Sequence, residues 1–122
     1  MILIDTSVWI DHIRLPDINL QSLLQINGVL VHPYVIGEIA LGSMRGREFV
    51  VRRLQALPEV VLAKHDEAMQ FVETHKLFGT GLGYVDVHLL ASCRLTPGAS
   101  LWTRDKRLGE IAAQMHIGAV LA

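Results

Sequence analysis

Four acidic residues, Asp5, Glu38, Asp86 and Asp105, recur at comparable points of the chain, each at or just after the start of a helical pattern. The apolar run Ile2-Leu3-Ile4 stops at Asp5, and Thr6 and Ser7 follow with hydroxyls suited to a helix start. A single Asp in that setting reads most simply as a helix cap. Three further acids in similar positions point to chemistry instead. Asp5 and Asp105 stand where a strand gives way to a helix, and Glu38 and Asp86 fall in the first turns of helices expected to begin at the same sheet edge. Carboxylates gathered in one crevice raise each other's pKa and resist ionisation. A divalent cation removes that conflict, and a donor set made only of oxygen favours Mg²⁺ or Mn²⁺ over zinc. Such an ion can generate hydroxide from water and stabilise charge on a phosphodiester during its hydrolysis.

The elements that must position these acids alternate along the chain. Ile2 to Ile4 reads as a strand covered on both faces, because its apolar run is continuous rather than alternating. Helices are expected over 7–14, ended by Leu15-Pro16, and over 17–26, with Asp17 as cap. Val29 to Val31 forms a second strand, and His32-Pro33 opens a helix with proline at its first position. A helix over 47–57 turns Phe49, Val50, Leu54 and Leu57 inward and its arginines outward. Val60 to Leu62 reads as a third strand and 65–77 as a helix with Ala68, Met69, Phe71 and Val72 on its apolar side. The glycine-rich stretch 78–83 is a loop whose spacing fits no phosphate-binding fingerprint. A helix over 84–94, a strand over 99–102, a last helix carrying Leu108, Ile111, Ala112 and Met115, and a short strand over 118–121 complete the order. This alternation predicts an α/β fold: a three-layer α/β/α sandwich around a mainly parallel sheet.

The length of 122 residues suits one domain over 1–122. With 51% hydrophobic and 19% charged residues the chain is apolar for a globular protein, which suits burial of part of its surface against a partner. No apolar stretch approaches the roughly 18 residues of a membrane span, and no basic segment precedes the first apolar run, so a cytoplasmic location is expected. The one cysteine, Cys93, reads as a small core residue. Setting the four acids aside leaves eight of 12 acidic residues against 11 Lys and Arg, a mildly basic remainder. Arg45, Arg47, Arg52 and Arg53 form one basic group, and Arg94, Arg104, Lys106 and Arg107 a second. The first four and Arg104 are candidate contacts for a phosphate backbone. A solvated helix face is the competing reading, since Glu48 and Arg52 are spaced for an ordinary i,i+4 pair.

The segments Ile-Leu-Ile-Asp5-Thr6-Ser7-Val-Trp9-Ile-Asp11, Gly37-Glu38-Ile-Ala-Leu-Gly42, Tyr84-Val-Asp86-Val-His-Leu-Leu-Ala-Ser and Leu-Trp-Thr103-Arg-Asp105-Lys-Arg-Leu resemble the signature segments of PIN-domain ribonucleases. The similarity is greatest to the VapC toxins of bacterial toxin–antitoxin pairs and runs through essentially the whole chain in order. The resemblance implies that Asp5, Glu38, Asp86 and Asp105 are the catalytic quartet holding Mg²⁺ or Mn²⁺. It gives Thr6, Ser7 and Thr103 the role of orienting a carboxylate or a metal-bound water. It further implies hydrolysis of RNA to 5′-phosphate and 3′-hydroxyl ends, a homodimer, and inhibition by a cognate VapB-type antitoxin.

Other residues carry less. The six histidines lack the short spacings of a zinc site, and His88 reads as structural. Asp11 is expected to pair with Arg14 rather than join the site, and Trp9 and Trp102 to pack rather than stack on bases. The alternatives are a PIN-like module that binds RNA or protein without cutting, and a receiver-type phosphoacceptor. The latter needs an Asp ending the third strand, where Val60-Val-Leu-Ala-Lys64 has none.

Overall fold

The strand β1 (Ile2–Ile4) lies at the centre of a three-stranded parallel sheet, between β2 (Val29–Leu30) and β3 (Ser100–Trp102). The computed structural model describes residues 1–121. In register, Leu30, Leu3 and Leu101 form one row across the sheet, and Ile4 pairs with Trp102 in the next. Leu3 and Ile4 point to opposite faces, as successive strand residues do, and both are fully buried. Both faces of β1 are therefore covered, which gives the expected three layers.

Among the described residues seven helices supply those outer layers: α1 (Thr6–Arg14), α2 (Ile18–Gln25), α3 (Pro33–Ala40), α4 (Arg47–Gln55), α5 (His65–His75), α6 (Tyr84–Leu95) and α7 (Lys106–Gln114). Local chemistry fixes where several begin. Asp17 Oδ1 accepts hydrogen bonds from the backbone N–H groups of Asn19 (2.8 Å) and Leu20 (3.0 Å) at the start of α2. His32 Nδ1 accepts from Tyr34 N–H at 3.0 Å, with Pro33 supplying a preset φ at the first position of α3. Each such cap stabilises its helix by about 1 kcal/mol. Packing places α3 against α1 and α4, α5 against α6, and both α6 and α7 against β3.

The sheet is smaller than the sequence patterns indicate. Instead of a third strand over 60–62, a single parallel bridge joins Glu59 to Val31. Beyond it Val61 N–H donates to the Thr96 hydroxyl (2.9 Å), so the ladder ends there and Val61 and Leu62 remain exposed. The strand expected over 118–121 is likewise one bridge, Gly118 to Leu101, held by Leu101 N–H to Ile117 O (2.7 Å) and Ala119 N–H to Leu101 O (2.8 Å). Two inward assignments also change: Phe49 and Met69 are exposed. Phe49 turns outward to stack under Arg53, whose guanidinium carbon lies 5.4 Å from the ring centroid.

Candidate active site

Because β1 and β3 are parallel neighbours, their C-terminal ends open on one edge, and this edge receives Asp5 and the turn Thr103-Arg104-Asp105. Asp5 N–H donates to Trp102 O at 3.0 Å, carrying the pairing one residue past the strands. The Asp5 carboxylate is buried and accepts three hydrogen bonds. Thr6 N–H reaches Oδ1 at 2.8 Å, while the hydroxyls of Ser7 and Thr103 donate to Oδ2 at 2.9 and 2.7 Å. Those hydroxyls are held in turn, Ser7 by Arg104 N–H (3.0 Å) and Thr103 by Asp105 N–H (3.0 Å). Asp105 caps α7 through Leu108 N–H (2.9 Å).

Helices bring the other two acids. The Thr6 hydroxyl donates to Glu38 Oε1 at 2.7 Å and so ties α3 to the start of α1. Glu38 lies in the second turn of α3, later than the first-turn position the sequence implied. Asp86 is the third residue of α6, and its Oδ2 accepts from Gly83 N–H at 3.1 Å. Burial pushes the Asp86 carboxyl above its ordinary pKa, and the Gly83 N–H pulls the other way. The charges of Asp5, Asp105 and Glu38 push it further up, so the four acids share one electrostatic field. Among the described residues no three acidic, histidine or cysteine side chains form a closed ligand cage. The quartet is an open rim, with Glu38 and Asp105 exposed.

An acid whose pKa is raised in the folded state costs stability when ionised, and the cost disappears once the pH falls below its unfolded value. In metal-free buffer, Asp86→Asn is expected to raise the melting temperature at pH 7. The gain shrinks as the pH drops through the folded pKa and vanishes below the ordinary carboxylate range. Thermal melts of both proteins across that window check this, and equal melting temperatures at pH 7 would count against crowding of the acids.

The arginines divide. Arg104 Nη1 pairs with Asp11 at 2.5 Å and Nη2 with Asp17 at 2.7 Å, and its guanidinium carbon lies 5.8 Å from the Trp102 ring centroid. Asp11 therefore pairs with Arg104 and not with Arg14, because the turn after β3 brings Arg104 alongside both α1 and the cap of α2. Two carboxylates already neutralise Arg104, which weakens its expected role as an RNA contact. Arg45 and Arg52 are exposed, Arg47 Nε donates to Ala40 O (2.5 Å), and Arg53 covers Phe49. None of these four is hydrogen-bonded into the acidic network.

Histidines lie beneath the same helices. His32 and His88 are each 1% exposed, and the Nε2 atoms of both lack a partner. Burial, then the neighbouring His88, lowers the His32 pKa to about 4, so it is neutral at physiological pH. His88 is buried, as a structural residue would be, and it supports two rings: Tyr34, which lies outside the quoted segments, and Tyr84, which opens one of them without a role assigned to it.

An open α/β fold with acids at the C-terminal edge of its parallel sheet defines a class of protein, and the PIN domain family model matches residues 2–114. The chain belongs to the PIN-domain family. Among curated proteins it is similar to ribonuclease VapC32 of Mycobacterium tuberculosis, in each of two strains. The identity is 47% over 117 residues, covering 96% of this chain and 94% of that one. The resemblance to VapC-type PIN proteins is thus borne out along nearly the whole sequence.

Proposed function

We propose that this chain is a divalent-metal-dependent endoribonuclease, the toxin of a VapBC-type pair, and that 1–122 is a single PIN domain. The observation that carries this reading is the hydrogen-bond network at one edge of the sheet, in which Thr6 links Asp5 to Glu38 and Thr103 links Asp5 to the Asp105 N–H, with Asp86 at the start of α6 feeling the charges of the other three. The similarity to a ribonuclease supports the same activity and an RNA substrate. The donors fit a hard cation: all are carboxylate oxygens, and a positive charge beside Asp86 would offset the burial and neighbouring acids that raise its pKa. The open arrangement suits Mg²⁺, with Mn²⁺ as substitute, since such an ion takes one or two carboxylates and keeps several waters. Asp5, Glu38, Asp86 and Asp105 would hold it. The chemistry such a cation would supply there is a lowered pKa of water and an offset to the charge on the phosphodiester.

This chain's own residues fix the rest. Thr103 and Ser7 orient the Asp5 carboxylate, and Thr6 orients Glu38, so two hydroxyls from α1 and one from the turn after β3 set where negative charge is presented. No side chain is required to act as general base. Products would carry 5′-phosphate and 3′-hydroxyl ends. Arg45, Arg47, Arg52 and Arg53 offer positive charge to the RNA backbone beyond the acidic rim. Leu15, Ile18, Ile26 and Leu41 are exposed, and they suit burial against a VapB-type antitoxin or a second copy in a homodimer. A cytoplasmic location fits that pairing, and among the described residues no helix is long and apolar enough to cross a membrane.

Purified, antitoxin-free protein incubated with a mixed RNA pool tests the proposal. Cleavage is expected with Mg²⁺ or Mn²⁺ and none with a chelator present. The absence of a closed ligand cage favours a second reading, a PIN-like module that binds without cutting. RNA left intact in the presence of either metal would select it.

A further inference from the structure

Tyr34 and Tyr84 are large aromatic side chains left 43% and 46% exposed beside the acidic rim. Tyr34 precedes Glu38 by one turn on α3 and so shares its face. Tyr84 opens α6 two residues before Asp86. The two rings come from different helices and meet over one buried imidazole. His88 lies 5.0 Å from the Tyr34 ring and 4.6 Å from the Tyr84 ring, edge-on to both at 72° and 75°. His32 backs Tyr34 at 4.8 Å, and His65 Nδ1 lies 2.6 Å from the Tyr84 hydroxyl. Both rings are therefore anchored from within while part of each stays open to solvent.

Resting on the ribonuclease reading, we infer that Tyr34 and Tyr84 form a stacking platform for an unpaired nucleobase next to the phosphodiester addressed by the four acids. Four carboxylates around a single divalent cation leave the rim with little net attraction for phosphate, so contact with an uncharged part of the nucleotide adds affinity at the cutting point. Arg104, the arginine nearest the rim in sequence, is already held by Asp11 and Asp17. A base has a π-face whatever its identity, and stacking on aromatic side chains is a general mode of single-strand binding. Rings fixed in advance lose little freedom when a base arrives. The platform sets where along the strand the scissile phosphate sits, and it favours unpaired over duplex RNA.

Steady-state cleavage of a mixed-sequence single-stranded RNA by the wild type, Tyr34→Ala, Tyr84→Ala and Tyr34→Phe tests this. Each alanine variant is expected to raise KM about tenfold with a much smaller change in kcat, and Tyr34→Phe to recover most of the loss. Moving one abasic nucleotide through the positions flanking the cut should penalise the wild type at one or two positions. The alanine variants should show little further penalty there, the mark of a shared interaction. Unchanged KM, or an abasic penalty undiminished in both alanine variants, overturns the platform. So does unchanged KM with an altered oligomeric state, which would assign the tyrosines to a protein contact. A binding readout separates this inference from the nuclease reading. RNA carrying 2-aminopurine should be quenched by Asp5→Asn protein, and the quench should be lost when either tyrosine is also alanine. If wild-type protein leaves RNA intact, the nuclease reading fails while that quench still decides the platform.

Discussion

Asp5→Asn is expected to lower RNA cleavage by on the order of 10³-fold or more while leaving the fold intact. The substitution removes the charge that a cation requires and keeps the shape. Asparagine is as good a helix cap as aspartate, so the bond from Thr6 N–H survives. The hydroxyls of Ser7 and Thr103, which donate to the second oxygen, can rotate to accept from an amide in its place. One of four repelling charges also disappears, so the melting temperature should stay level or rise. Cleavage assays at saturating metal, run beside thermal melts, check both halves. A folded Asp5→Asn protein that cuts at the wild-type rate would remove Asp5 from the chemistry.

The second large effect is on stability. Leu3 is fully buried in the central strand, flanked in register by Leu30 and Leu101, which are themselves buried. Leu3→Ala opens a cavity in the row that joins all three strands, and neighbours on a three-stranded sheet have little freedom to collapse into it. The expected cost is about 2 to 5 kcal/mol. For a domain of this size that corresponds to a fall in melting temperature of roughly 10 °C or more. Chemical denaturation measures it. A loss below about 1 kcal/mol would mean that the sheet is not the mechanical centre of the fold. Activity per folded molecule should change less than stability, since Asp5 is anchored by the start of α1 and by Trp102 of β3.

Much of this arrangement is legible in the sequence because it rests on local signals. The continuous run Ile2-Leu3-Ile4 announces a strand buried on both faces, and Asp5, Asp17 and Asp105 announce the helices they cap. Glu38 and Asp86 are legible only in the company of the other acids and through the family resemblance. What escapes is set by tertiary contacts. Val60-Val61-Leu62 has the composition of a strand, yet Thr96 captures the Val61 N–H and ends the pairing. Phe49 is apolar at a helical position but lies under Arg53, a contact that periodicity does not encode. Asp11 lies three residues before Arg14 but finds its partner 93 positions away in Arg104. Tyr34 and Tyr84 become conspicuous only when both are seen over His88.

Three of the four acids are also pinned to backbone N–H groups at the beginnings of their helices, Asp5 to Thr6, Asp86 to Gly83 and Asp105 to Leu108, and the fourth to the Thr6 hydroxyl. The rotamer entropy of these side chains is therefore surrendered during folding and not at the moment of ligand capture. Whatever docks at this edge meets a preset mould, and the empty and loaded forms of the protein should superimpose closely along the sheet rim.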